Sequence, residues 1–151
     1  MAKIKRALDS TVIFWLMCAW LTFFVFANLW PASAWLDVER ASVSPALAGQ
    51  PVPMLATRNI KRDFVGSWRV TVRRWEPQGW VVYCNAGGSN NYSAQAVLPA
   101  KLTLDWWTNG QCPLLTEGRY TITTSWQIQP SLPFIPDKTV QIESNIFEVA
   151  R

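Results

Sequence analysis

The sequence predicts an N-terminal transmembrane helix followed by a single all-β domain, an antiparallel β-sandwich. Three observations carry that expectation. Ser10 to Leu36 is an unbroken run of 27 residues without a charged side chain. Beyond it, apolar and polar residues alternate with period two in several short segments bounded by Gly, Pro and Asn. No segment after the run shows the spacing of an amphipathic helix.

Within the run, Val12–Trp30 supplies 19 residues of which only Thr22 and Asn28 are polar. About 20 apolar residues at helical rise cross a hydrocarbon core of about 30 Å, so this segment is expected to span and to contact lipid. Lys3, Lys5 and Arg6 precede it. Basic flanks stay cytoplasmic, which predicts a single-pass inner-membrane protein with its C-terminal domain outside, in the periplasm of a bacterium. Trp30 and Trp35 are expected in the headgroup layer, where an amphipathic indole is at home. The alternative is a cleaved secretory signal, because Pro31-Ala32-Ser33-Ala34 sets a helix breaker before an A-x-A pattern with a cut after Ala34. Against cleavage, the apolar stretch exceeds the roughly 7–15 residues of a signal core. The expected division is a cytoplasmic tail over 1–11, an anchor over 12–35, an extended stalk over 36–53 and the β domain over 54–151.

From Leu36 onward the chain carries 11 Lys and Arg against 9 Asp and Glu, a net charge of only +2. A nucleic-acid partner needs a concentrated basic face, which this balance does not supply. Lys61-Arg62 and Arg73-Arg74 read as solvated pairs. Cys18 lies in the span and reads as a small hydrophobe. Cys84 and Cys112 both fall in the exported part beside turn-rich stretches, and in an oxidising compartment they are expected to form a disulfide. The chain has no histidine and no C-x-x-C, so neither a metal site nor another cofactor is expected.

Pro45, Gly49, Pro51 and Pro53 punctuate 36–53 without helical period, hence the stalk, with a first strand starting around Val52. Phe64, Gly66, Trp68, Val70 and Val72 share one parity and Ser67, Arg69, Thr71 and Arg73 the other, a half-buried strand that Glu76-Pro77-Gln78-Gly79 turns back. Trp80–Cys84 reads as the return strand and Asn85–Asn91 as a Gly/Asn/Ser loop. Leu102, Leu104 and Trp106 alternate with Thr103, Asp105 and Trp107, predicting a strand that Asn109-Gly110 ends. Tyr120, Ile122, Thr124, Trp126 and Ile128 define the clearest strand. After Pro130, Pro133 and Pro136, a last strand changes parity near Ser144-Asn145, read as a bulge.

At Leu115-Thr116-Glu117-Gly118-Arg119-Tyr120 the sequence resembles the L-x-x-G-x-Y turn of many immunoglobulin-like sandwiches. The resemblance covers six residues and implies a fold in which the tyrosine hydroxyl ties back to nearby backbone. It implies no activity, since the pattern is shared by proteins of many functions.

No catalytic constellation is evident. Without histidine the usual nucleophile–base pairs are missing, and no Ser-x-x-Lys or Gly-x-Ser-x-Gly replaces them. Asp105 with Glu117 or Glu143 as a carboxylate pair is outweighed by ordinary surface acids. The chain is therefore expected not to be an enzyme. Six tryptophans follow the span, at 68, 75, 80, 106, 107 and 126. Strand parity sends Trp68, Trp106 and Trp126 inward and leaves Trp107 and Trp75 outward, where Trp107 is expected either to pack against the stalk or the second sheet or to contact a ligand. Trp75, Trp107, Arg73 and Asn109 are the expected contacts of a protein-binding or assembly module in an envelope, membrane complex or phage. The alternative is a carbohydrate-binding module that stacks a glycan on those indoles beside the Asn85–Asn91 loop.

Overall fold

The computed structural model describes residues 2–131 and 135–151, with side chains from Ser10 onward. Pro133 of the proline-rich connection and the side chains of Lys3, Lys5 and Arg6 lie outside the described residues. Helix α1 runs Ala2–Leu29, and its stretch Ser10–Leu29 has a mean hydropathy of 2.1, long and apolar enough to cross a membrane. It ends where Pro31 disfavours helical backbone in the residue before it. The last-turn carbonyls are not left bare: Lys138 Nζ donates to Asn28 O at 2.8 Å and to Ala27 O at 3.4 Å. A cation at a helix C-terminus also complements the dipole. Arg62 Cζ stands 5.1 Å from the Trp30 ring and 5.9 Å from that of Trp35, whose centroids are 5.7 Å apart. Trp35 is only 2% exposed. It belongs to the domain core and not to the headgroup layer expected of it.

The rest is mostly β, in two sheets around one apolar core. The smaller sheet has the order β1 (Leu36–Val43), β3 (Pro53–Ile60), β6 (Leu102–Thr103), with β1 antiparallel to β3 from Leu36↔Ile60 to Val43↔Met54. In the larger sheet β4 (Phe64–Glu76) lies between β5 (Gly79–Tyr92) and β7 (Gly118–Gln129), both antiparallel to it. The other edge of β7 is shared by β8 (Lys138–Glu143) and β9 (Phe147–Ala150), and β2 (Ala46–Leu47) adds parallel to β9. Both parities expected from sequence hold. Phe64, Gly66, Val70 and Val72 of β4 are buried, as are Tyr120, Ile122, Thr124, Trp126 and Ile128 of β7.

Four expectations need correction. The stalk is a packed part of the domain: Leu36, Val43 and Val52 are buried, Pro45, Gly49 and Pro51 fall in the connections between strands, and Pro53 opens β3. The Asn85–Asn91 loop is instead the second half of β5, paired residue by residue with β4 from Thr71↔Asn85 to Val65↔Asn91. Its turn-like composition reflects an exposed sheet edge, and at Gly88 an added Cβ would press on the Trp68 indole at 3.2 Å. The strand expected over 102–107 stops at Thr103 and continues as helical turn α2 (Leu104–Trp107). The bulge near Ser144-Asn145 is a full break between β8 and β9. Asn145 bridges it to β1, accepting from Val43 N through Oδ1 at 2.7 Å and donating to Val43 O through Nδ2 at 3.0 Å.

Cys84 and Cys112 are disulfide-bonded across a separation of 28 residues, both half-buried. The tyrosine tie is present too: the fully buried Tyr120 donates its hydroxyl to Thr116 O at 2.9 Å.

Candidate functional site

The four expected contact residues do not meet. Arg73 and Trp75 lie on the outer face of β4, near the β4–β5 turn. There Trp75 is 45% exposed and packs edge-on against Trp80 at 5.3 Å. Trp107 and Asn109 lie elsewhere, along a cleft, and Trp107 is not outward. Its ring is 6% exposed, donates Nε1–H to Thr124 Oγ1 at 2.9 Å and stands edge-on to Trp126 at 6.0 Å. Its neighbour Trp106 is the exposed one, at 50%.

The inversion has a local cause. Thr103, in extended backbone, accepts Trp106 N–H at 3.3 Å through Oγ1 and so caps a helical turn whose first residues include Asp105. A helical turn places Leu104 and Trp107 on one face, three apart, and rotates Trp106 away from it. Asn109 at φ 53° and Gly110 at φ 67° then take the left-handed backbone that closes the turn. The cap, the acid and the Asn-Gly stop were all legible in Thr103–Gly110, but two-residue alternation masked them.

The cleft has a volume of about 720 Å³. Trp68 and Val70 of β4 and Thr124 and Trp126 of β7 line it, with Gly87 to Tyr92 of β5, and Asp105, Trp106, Trp107 and Asn109 of the α2 region. Glu117 and Glu143 are not among its lining residues, so no acid of the sequence-level pairings joins Asp105 there.

Among the described residues, β5 has no strand neighbour on the side away from β4. At Gly87 that edge is closed by a side chain: Gly87 N donates to Gln111 Oε1 and Gln111 Nε2 donates to Gly87 O, both at 3.0 Å. The disulfide and the Tyr83 hydroxyl, donating to Leu114 O at 3.1 Å, hold the same loop against the strand. Outward-pointing backbone recurs every second residue, so Ser89 and Asn91 present their N–H and C=O on the same side. Asn90 Oδ1 takes the Asn91 N–H at 2.9 Å. Among the described residues nothing outside the β4 ladder pairs with the Ser89 backbone, beside the aromatic lining.

Arg58 of β3 completes the cleft and was not singled out by the sequence reading. Its guanidinium stands 5.7 Å from the centroid of the Tyr92 ring. Desolvation lowers the Arg58 pKa from its ordinary value, with the Tyr92 phenol working against that shift. Desolvation also raises Tyr92, opposed by Arg58 and by the Trp126 indole. Among the described residues the ion pairs are Lys61–Asp37 at 3.0 Å and Arg119–Glu148 at 3.8 Å, so no carboxylate neutralises Arg58. Comparison with protein-family models, with curated proteins and with solved structures finds no match to this chain.

Proposed function

We propose that the chain is a single-pass, membrane-anchored module whose extracytoplasmic β domain, an immunoglobulin-like sandwich, binds a partner protein in an envelope, membrane or phage assembly and performs no catalysis. The observation that carries this reading is the aromatic-lined cleft beside the open backbone of Ser89 on the edge strand β5. An extended segment of a partner adds to such an edge by main-chain hydrogen bonds while its alternate side chains enter the adjoining pocket. The Tyr120–Thr116 tie supports the immunoglobulin-like reading. The disulfide fits an oxidising compartment such as the periplasm, with the N-terminus cytoplasmic. Retention of the anchor is supported by the packing of its outer end. A cut after Ala34 would place a charged amino terminus on buried Trp35 and would remove the carbonyls that Lys138 caps.

A glycan is the second reading, favoured by the half-exposed Trp106 indole beside Asn90 and Asn109 on the cleft. Full-length protein in detergent micelles, offered an array of random N-acetylated, C-amidated decapeptides and a glycan array, separates the two. The protein reading expects peptide binding that Ser89→Pro abolishes, because proline removes the edge donor and cannot join a ladder. Glycan binding with a silent peptide array would reverse the assignment. N-terminal sequencing of the membrane fraction tests the anchor, and a mature chain starting at Trp35 would refute it.

A further inference from the structure

Strand β3 turns Met54, Ala56, Arg58 and Ile60 toward the core, and Met54 and Ile60 are buried. A guanidinium therefore stands where the parity of the strand calls for an apolar side chain. It is half-buried, lies over the Tyr92 ring and has no carboxylate partner among the described residues. A partly desolvated cation is unfavourable unless an anion compensates it, and the cation–π contact with Tyr92 compensates only in part. Asp105, the one acid among the described residues that line the cleft, forms no ion pair with it. The open backbone at Ser89 and the unneutralised Arg58 thus share one cleft with four tryptophans, 68, 106, 107 and 126.

On the reading of this cleft as a peptide site, we propose that Arg58 is its specificity-determining residue, pairing with the carboxylate of an Asp or Glu side chain in an extended partner segment that adds to β5. The planar fork of arginine matches a carboxylate with two parallel N–H···O bonds, a geometry lysine cannot reproduce. The half-desolvated setting strengthens that bond relative to one in open water. The indoles supply sequence-tolerant apolar contact, so the charge selects the ligand.

The test uses full-length protein in detergent micelles and peptides selected from the N-acetylated, C-amidated decapeptide array, which carry no terminal carboxylate. Each selected peptide is remade with every Asp or Glu changed to Asn or Gln. The selected set is expected to share an acidic residue at a fixed position, and its neutral replacement is expected to weaken binding about 10- to 100-fold. Arg58→Gln should weaken the acidic peptide by a similar factor and erase the difference between acidic and neutral versions. Arg58→Lys, which keeps the charge and the apolar stem, should retain part of the preference, and it serves the same comparison if Arg58→Gln does not fold. Peptides selected without an acid, or an acidic preference that is undiminished in either folded Arg58 variant, would overturn the assignment while leaving the peptide site intact. A silent peptide array would remove both.

Discussion

Trp106 and Trp107 are adjacent and chemically identical, so truncating each to alanine isolates the effect of placement. Trp107→Ala removes a ring that is 6% exposed and edge-on to Trp126, and deprives the buried Thr124 hydroxyl of its indole donor. Truncations of buried aromatics cost about 3–5 kcal/mol, a large part of the roughly 5–15 kcal/mol that holds a domain together. Trp106→Ala removes a ring that is 50% exposed and tilted over Trp107 at 6.3 Å. The loss there is confined to a partial aromatic contact, about 0.5–1.5 kcal/mol. With a urea m value of about 1.5 kcal/mol/M, the unfolding midpoint should fall by about 2–3 M for Trp107→Ala and by less than about 1 M for Trp106→Ala. Far-UV circular dichroism of the full chain in micelles reads both. The milder Trp107→Phe, which keeps the ring volume approximately and loses the N–H, should fall between them. A larger shift for Trp106→Ala than for Trp107→Ala would refute the helical turn and restore the strand parity.

Replacing Cys84 and Cys112 together by alanine frees a loop whose ends are 28 residues apart. The chain-entropy relation puts the loss at about 3.6 kcal/mol, readable as a lowered urea midpoint in the double variant against the oxidised parent. Asn145→Ala leaves the Val43 N–H and C=O without their side-chain partner and should destabilise by about 1–3 kcal/mol; Asn145→Asp, which keeps only the acceptor, should recover part of that. The raised Tyr92 pKa means that the folded state holds its proton above pH 10, where an unfolded chain releases it. That proton therefore favours folding fully below pH 10, and the contribution is lost as the pH rises through the folded pKa. Thermal unfolding measured between pH 8 and pH 11 should show a decline in Tm that is shallower in Tyr92→Phe.

Two-residue periodicity revealed β4 and β7 because each has one face on the core, so the alternation is written by burial itself. Composition misled at β5. Its outer half lies at a sheet edge with Gly87 to Asn91 exposed, and there a strand needs no apolar side chains, so Asn, Gly and Ser imitate a loop. The stalk failed for the opposite reason: prolines and glycine around the connections outweighed Leu36, Val38 and Val43, although their partner strand β3 follows after a short connection. At the cleft, Asn109 and Trp107 both lie on the lining, but the exposed indole is that of Trp106 and not that of Trp107. Arg58 was missed although Met54, Ala56 and Ile60 flank it at even spacing, because a basic residue on an apolar parity reads as a break in the pattern until the strand is known.

On the anchored reading, the contacts at the outer end of α1, with Lys138 on its last carbonyls and Arg62 over Trp30, set which end of the domain stands nearest the membrane. Ile60, Phe64 and Lys138 mark the end nearest the helix, while the Trp75–Trp80 turn closes the far end of β4. At about 3.3 Å per residue, β4 is about 40 Å long. Tyr92 pairs with Phe64 at the near end and Gly88 with Trp68, four residues along, so the cleft occupies the half of the domain beside the membrane. A partner segment would approach it laterally, along the bilayer surface. Spin labels test this arrangement: with Cys18→Ala as background, Gln95→Cys lies in the segment tied to Asp63 through the Ala94 N–H, and Gln78→Cys lies in the far turn. In bilayers doped with nickel-chelating lipid, relaxation enhancement should be strong at position 95 and weak at position 78. Equal or reversed enhancement would mean that the domain does not stand upright on its helix, and the lateral route to the cleft would fall with it.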